Sequence, residues 1–264
     1  TIHKRKSFPA TRLGAAMPEE TQTIAPHPGG RGLRFAQEMG IASPLDASLA
    51  LALGASEVRP IEMANVYTTF AAGGRWAEPQ LVDRVVGPDG EEVALPEPAP
   101  PRDVMSAAEA YVMTSMLRSV VTTGPARAAR RLPFPVAGKT GTSQAFRDAW
   151  FIGYSPNIVV GVYVGYDTPK SLGYKQTGSS VAVPIFAKFS EKINMNNLKV
   201  PFRVPSGISF VRIDPKTGLP SNKENSILEP YILGTEPYSK NLNVIDTLNN
   251  FKNNSISGTG GLLQ

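Results

Sequence analysis

One stretch of the chain gathers side chains able to do chemistry on a carboxylated substrate. Lys139-Thr140-Gly141-Thr142 is entered from Pro135-Val136-Ala137-Gly138 and followed by Asp148-Ala149-Trp150-Phe151-Ile152-Gly153-Tyr154. Lys139 supplies an ammonium, and Thr140 and Thr142 supply hydroxyls that can donate to a carboxylate. Gly141 has no Cβ, so a ligand backbone can lie close against it. Short apolar runs on both sides predict that these four residues lie on a strand at the rim of a sheet.

The tripeptide alone carries little information. At average residue usage roughly one chain in ten of this length contains Lys-Ser/Thr-Gly by chance. This chain has a second copy, Lys216-Thr217-Gly218, inside Asp214-Pro215-Lys216-Thr217-Gly218-Leu219-Pro220. Asp, Pro and Gly at that spacing read as a tight turn and not as a site. The first copy differs by its setting, with Gly138 before it, Thr142 after it and a strand pattern on either side.

The elements that must position Lys139 follow from the chain in order. Residues 1–32 are rich in Pro and Gly and read as an irregular segment. Leu33–Met39 reads as a short helix stopped by Gly40. Ala47–Leu53 alternates small and large apolar residues and is expected to be buried. Pro60 opens a helix whose apolar stripe is Ile61, Ala64, Tyr67 and Ala71, with Phe70 beside it and Gly73-Gly74 at its end. Gln80–Val86 and Glu91–Leu95 read as a hairpin around Pro88-Asp89-Gly90, and Pro96–Pro101 as a linker-like turn.

Ser106 and Glu109 form a capping-box pattern for the next helix. Its expected buried positions are Val112, Met113, Met116, Leu117, Val120 and Val121. Arg127, Arg130 and Arg131 follow as a solvated basic loop. Three strands then come in succession, Val136–Thr142, Ala149–Tyr154 and Ile158–Tyr166. The Ser155-Pro156-Asn157 turn makes the latter two antiparallel. Val181–Phe189 reads as a helix returning onto that sheet. Residues 193–240 read as a small β-rich extension with a strand at Phe210–Ile213. Residues 241–264 are dominated by Asn, Ser and Gly and are expected to be disordered.

Composition narrows the function classes. The 264 residues are 41% hydrophobic and 19% charged, which is ordinary for a globular protein. There is no cysteine, so disulfides and thiol catalysis are excluded. The net charge of +5 comes without a dense basic patch, and Lys4-Arg5-Lys6 is too short to argue for nucleic acid. No apolar run approaches the roughly 20 residues needed to span a bilayer. The chain begins at Thr1 and reads as a piece of something longer. Before Leu132 the basic residues are mostly Arg and the one asparagine is Asn65; after it Lys and Asn predominate. Folding does not demand that shift. It fits two differently biased coding sequences joined near 132–138, which codon usage in the source DNA would decide.

The segment Gly138–Pro156 resembles the transpeptidase domain of class A penicillin-binding proteins, specifically the penicillin-binding protein 1A group. Residues 51–65, Val160–Pro169 and the stretch from Phe202 to Leu219 are similar to the same group, and the resemblance runs from about Gly32 to Pro237. It implies an α+β fold, an antiparallel sheet flanked by helices, with 33–192 as the C-terminal part of the transpeptidase domain. The implied reaction is acyl transfer: a serine attacks the D-Ala-D-Ala carbonyl of a peptidoglycan stem peptide, D-Ala leaves, and a neighbouring amine takes the acyl group. β-Lactams acylate the same serine. By the same resemblance Lys139, Thr140 and Thr142 are catalytic. Lys139 shapes the local field and relays a proton. The Thr140 and Thr142 hydroxyls bind the terminal carboxylate beside Gly141, and the Thr142 backbone N–H is an oxyanion donor. Lys-Thr-Gly is one of the signatures of this family, beside Ser-x-x-Lys.

The departures bear directly on activity. No serine is followed by Lys three positions later, so the chain holds no recognisable nucleophile. Ser7, in Lys6-Ser7-Phe8-Pro9, is a candidate remnant of the family's Ser-x-Asn segment, without its Asn. Ser155-Pro156-Asn157 has the Ser-x-Asn form but falls in a strand turn. Neither His3 nor His27 has partners for a His-based triad. No metal or cofactor is expected. The resemblance implies stem peptides and β-lactams as ligands, and cell-wall assembly proteins as partners of the parent. It also implies a periplasmic location or the outer face of the cytoplasmic membrane, with the glycosyltransferase domain and membrane anchor outside this chain. Three readings stay open: part of a D,D-transpeptidase that is inactive alone, a non-catalytic penicillin- or peptidoglycan-binding module, and a serine β-lactamase.

Overall fold

The computed structural model of the chain describes residues 30–193 and 199–238. Ser7, nearly all of the 1–32 segment and the 241–264 tail lie outside the described residues. The elements run α1 (Gly30–Glu38), α2 (Pro60–Ala71), β1 (Arg75–Trp76), β2 (Val85–Val86), β3 (Glu92–Val93), β4 (Arg102–Asp103), α3 (Ala107–Thr122), β5 (Ala137–Thr142), β6 (Ala149–Ser155), β7 (Ile158–Val164), α4 (Val183–Lys192), β8 (Ile208–Ile213) and β9 (Ile227–Ile232). The fold is α+β.

The centre is an antiparallel three-stranded sheet in the order β5-β6-β7. Its register sets Lys139 opposite Ile152, Gly141 opposite Trp150 and Thr142 opposite Ala149. Side chains alternate across a strand, and directly paired residues share a face. One face therefore carries Phe151, packed edge-on against Phe186 of α4 with ring centroids 4.9 Å apart. That face joins Val121, Leu132, Phe134, Val136, Val183 and Phe186 in one core. The other carries Ala137 and Tyr154, which pack with Leu117 of α3 and with Tyr67 and Phe70 of α2. Helices thus clamp β5 and β6 from both sides. Residues on both sides of the Arg-to-Lys compositional shift share a single core.

α3 begins as its sequence requires. Ser106 Oγ accepts from the Glu109 amide, and the Glu109 carboxylate accepts from the Ser106 amide at 2.7 Å. Its buried line is Ala110, Thr114, Leu117 and Val121. Met116, expected in the core, is 52% exposed. It sits about 100° round the helix from Leu117, off the line that meets the sheet. The centre of that line is a threonine. Thr114 Oγ1 lies 2.9 Å from Tyr154 Oη and also bonds the Ala110 carbonyl, so its polar group is satisfied where hydrophobicity alone misplaces it.

α2 shows the same inversion. Its buried residues are Glu62, Asn65 and Thr69, while Ile61 is exposed. The inner line is polar because it fastens neighbouring loops. Glu62 accepts from the Ser43 hydroxyl at 2.6 Å, and Asn65 Nδ2 donates to the Ala77 carbonyl at 3.1 Å. The 47–53 stretch also departs from expectation. It forms a 3-10 turn at Leu49–Leu53, ended by left-handed Gly54, with Leu49 70% and Leu53 90% exposed. A turn this short satisfies its own backbone but leaves its leucines facing out.

β2 and β3 form the expected hairpin. β1 pairs with β4 across the proline-rich turn, a two-residue contact too short to leave a sequence pattern. Gly40 ends α1 with φ +91°, and a Cβ there would overlap the Trp76 indole. Beyond α4, β8 and β9 form a hairpin whose Phe210 meets Tyr111 of α3 edge-on. No helix among the described residues is long and apolar enough to cross a membrane.

Candidate functional site

Among the described residues β5 is an edge strand, paired with β6 on one side only. Alternate backbone groups of such a strand point away from its neighbour and can pair with an extended peptide. Gly138 lets the strand enter close to the sheet, because a Cβ there would come 2.5 Å from the Ile152 carbonyl oxygen and 2.7 Å from the Phe151 ring. Lys139 then emerges exposed on the α2/α3 face, and Thr140 and Thr142 lie on the α4 face. At an edge both faces meet the same rim, so one cation and two hydroxyls can reach one extended ligand.

Lys139 Nζ donates to the Thr140 carbonyl at 2.9 Å. No carboxylate among the described residues pairs with it, so its charge remains available to an anion. Thr142 Oγ1 accepts from the Gly178 amide at 3.0 Å. On the opposite face of the strand, Gly141 lies against Trp150, whose Cβ would be 3.1 Å from a Cβ at that position. Trp150 packs on Tyr163 with centroids 4.7 Å apart.

The connection leaving β5 is fixed by its own bonds. Ser143 Oγ accepts from the Asp148 amide at 2.9 Å, and Ala145 and Phe146 both take left-handed backbone angles. Two consecutive non-glycine residues in that region store strain that the surroundings must hold. Here the Phe146 carbonyl accepts from the Leu172 amide at 2.8 Å, and the Phe146 ring meets Tyr174 edge-on. Asp148 Oδ1 accepts from Tyr163 Oη at 2.8 Å, and that bond raises the Tyr163 pKa above its ordinary value. None of Gly178, Phe146, Asp148 or Tyr163 stands out in the sequence. The one signal near Gly178 is the Thr177/Ser180 spacing, a capping pattern that starts the turn before α4.

The second Lys-Thr-Gly is a turn. The Gly218 amide donates to the Asp214 carbonyl at 2.8 Å and the Asp214 amide to the Leu219 carbonyl at 2.9 Å, while Asp214 Oδ1 accepts from the Lys216 amide. Ser155 ends β6, buried, at the β6–β7 turn.

The strand setting of Lys139 coincides with a family match. Residues 34–191 match the model of the penicillin-binding protein transpeptidase domain. The chain belongs to the penicillin-binding transpeptidase family. Penicillin-binding protein 1A of Aquifex aeolicus is 39% identical over 191 residues, covering 72% of this chain and 26% of that protein. The Rickettsia prowazekii penicillin-binding protein 1A is 37% identical, covering 64% of this chain and 24% of that protein. The crystal structure of penicillin-binding protein 1A from Haemophilus influenzae aligns with a TM-score of 0.69 at 26% identity, covering 78% of this chain and 37% of that one. The chain therefore spans about a quarter of the length of these curated relatives. The matched family is described by penicillin binding and by transpeptidation.

Proposed function

We propose that this chain supplies the substrate-carboxylate wall of a peptidoglycan D,D-transpeptidase whose nucleophile lies outside it. The observation that carries this reading is the edge strand β5, which presents Lys139, Thr140 and Thr142 along one rim within the segment matched to the transpeptidase family. The Thr140 and Thr142 hydroxyls donate to the terminal carboxylate of a stem peptide, and Lys139 adds the opposite charge. Hydrogen bonds to an ionised group are the stronger kind. The carbonyl to be attacked then lies along β5, where the Thr142 N–H receives the developing oxyanion. One such donor contributes about 3 kcal/mol to the transition state.

The chemical step needs a hydroxyl activated by a nearby base. In the complete enzyme a serine hydroxyl adds to the penultimate D-Ala carbonyl, the C–N bond to the terminal D-Ala breaks, and the proton leaves with the departing amine. A second stem-peptide amine then attacks the acyl carbon, the C–O bond to serine breaks, and the amine's proton returns to the serine oxygen. Lys139 assists by holding positive charge at the rim and passing a proton along it. The ligands are stem peptides and β-lactams, and the site of action is outside the cytoplasmic membrane. Cell-wall assembly proteins and a membrane anchor belong to the parent protein.

No serine in the chain has Lys three positions on, and this favours the inactive-alone reading over a β-lactamase. Incubation of the chain with penicillin G, read by intact mass and by amide NMR, tests both halves of the proposal. The expected result is no covalent mass gain, with shifts at the Thr140, Gly141 and Thr142 amides. A stoichiometric adduct overturns the missing nucleophile, and unchanged amides along β5 overturn the carboxylate wall. Joining the chain to the N-terminal part of a relative's transpeptidase domain separates the first two readings. Stable fluorescent-penicillin labelling of the joined protein marks a transpeptidase half, and no labelling marks a binding module.

A further inference from the structure

The Thr142 hydroxyl is held in place. The backbone N–H of Gly178 donates to Thr142 Oγ1 at 3.0 Å, joining residues 36 apart in sequence. A hydroxyl has one proton and two acceptor positions. Filling one acceptor position from α4's side fixes the rotamer and leaves the proton to point away from Gly178. The turn that carries Gly178 is itself fastened. The Thr177 amide donates to Ser180 Oγ at 2.9 Å, the Ser180 amide donates back to Thr177 Oγ1, and Ser180 Oγ donates to the Lys175 carbonyl at 2.9 Å. Only glycine fits at the head of this turn. Gly178 is buried, and a Cβ there would overlap the Trp150 carbonyl oxygen and come 2.6 Å from that of Gly141. The residue thus sits directly over the Gly141–Trp150 pair, close enough for its amide to reach the next side chain of β5.

The geometry points to Gly178 as a positioning residue for carboxylate recognition: its N–H holds Thr142 Oγ1 so that the hydroxyl proton is directed at the bound carboxylate. This rests on the carboxylate wall proposed above. Gly178 makes no contact with the ligand itself. Its effect is to remove the rotational freedom that a surface hydroxyl otherwise loses on binding.

The test titrates the full chain with N-acetyl-D-alanyl-D-alanine and with its C-terminal amide, following backbone amides by NMR. The unmodified chain binds the acid more tightly than the amide. Gly178→Ala weakens acid binding about tenfold and leaves amide binding unchanged. Thr142→Val gives the same loss, Thr142→Ser retains binding, and Gly178→Ala adds nothing once Thr142 is Val. Ser180→Ala removes the Ser180 Oγ bonds that brace the turn, keeps the Ser180 amide on Thr177 Oγ1, and places no new Cβ in packed space. It gives a smaller loss in the same direction and carries the test if Gly178→Ala does not fold. Acid affinity unchanged in the folded Gly178→Ala and Ser180→Ala variants overturns the positioning role while the carboxylate wall stands. Additive losses in the Gly178→Ala/Thr142→Val double variant also overturn it, because a general packing defect adds and a shared route does not. Failure of the unmodified chain to distinguish acid from amide overturns the wall, and this inference with it.

Discussion

Lys139-Thr140-Gly141 and Lys216-Thr217-Gly218 are the same three residues in two different structures. The first lies in an edge strand clamped by helices on both faces, with Tyr154 and Leu117 packed behind one face and Phe151 and Phe186 behind the other. The second closes a seven-residue turn, with Gly218 at φ +69° and its backbone bonds returned to Asp214. In the strand, alternation and edge position bring the ammonium and two hydroxyls to one rim. In the turn, the glycine supplies a left-handed angle and the lysine points into solvent. A short motif acquires chemical meaning only from what fixes its backbone.

The largest expected effect breaks the two copies apart by function. In a complete transpeptidase carrying this chain, Lys139→Ala is expected to slow acylation by penicillin at least a hundredfold, the usual range for a positioned proton-transfer group. Lys216→Ala changes the rate less than about twofold. The measurement is the second-order acylation rate with a fluorescent penicillin. Equal effects would dissolve the distinction between strand and turn.

The next effect concerns what holds the first copy in place. Leu117→Ala removes a buried side chain packed against Ala137 and Tyr154, at the start of the strand. It is expected to cost about 2–5 kcal/mol in urea unfolding. Met116→Ala, half exposed one residue earlier, is expected to cost under about 1 kcal/mol. Similar losses for the two would mean that α3 presents a different face to the sheet.

Much of this arrangement is legible in the sequence. The capping box at Ser106, the three successive strands, the Lys216 turn and the special setting of Lys139 all follow from local chemistry that the residues state directly. What the sequence hides depends on polar groups finding distant partners. Thr114 and Asn65 are buried because Tyr154 and Ala77 answer them. An apolar count instead assigns the core to Met116 and Ile61. Leu49 and Leu53 reveal the same limit from the other side, since apolar character says nothing of whether a partner surface is present. Gly178 reads as an ordinary glycine in a loop until the fold lays it across Gly141 and Trp150.

A third effect uses pH to separate the copies. Burial raises the Tyr67 pKa from its ordinary value near 10 to about 12 and raises that of Tyr154 further, against a smaller opposing bond from Thr114. An unfolded tyrosine releases its proton near pH 10, while the folded ones keep theirs. The unfolded state therefore binds fewer protons above pH 10, and stability falls as pH rises. The contribution is fully present below pH 10 and is lost by about pH 12 for Tyr67, on the order of 2 kcal/mol. Tyr154 is paired with Ala137 at the start of β5. Amide exchange at Lys139 is accordingly expected to accelerate beyond its intrinsic pH dependence above pH 10. Lys216, with no buried phenol in its turn, follows the intrinsic rate. Parallel behaviour at both lysines would uncouple the strand from its aromatic backing.

The smallest effect tests the second copy on its own terms. If Lys216-Thr217-Gly218 is only a turn, its one demanding position is Gly218, where φ is +69° and a Cβ would meet no atom within 4 Å. Space is therefore not the constraint, and backbone angle is. Gly218→Ala is expected to cost about 1 kcal/mol, the ordinary penalty for an L side chain in the left-handed region. Gly218→Asn is expected to cost less, because asparagine tolerates that region. Lys216→Ala should leave stability within about 0.5 kcal/mol, as a surface change away from packed groups does. Urea midpoints of the three variants check this order. A Lys216→Ala loss as large as that of Gly218→Ala would show that the lysine side chain has a structural partner, and the second copy would no longer be explained by its turn alone.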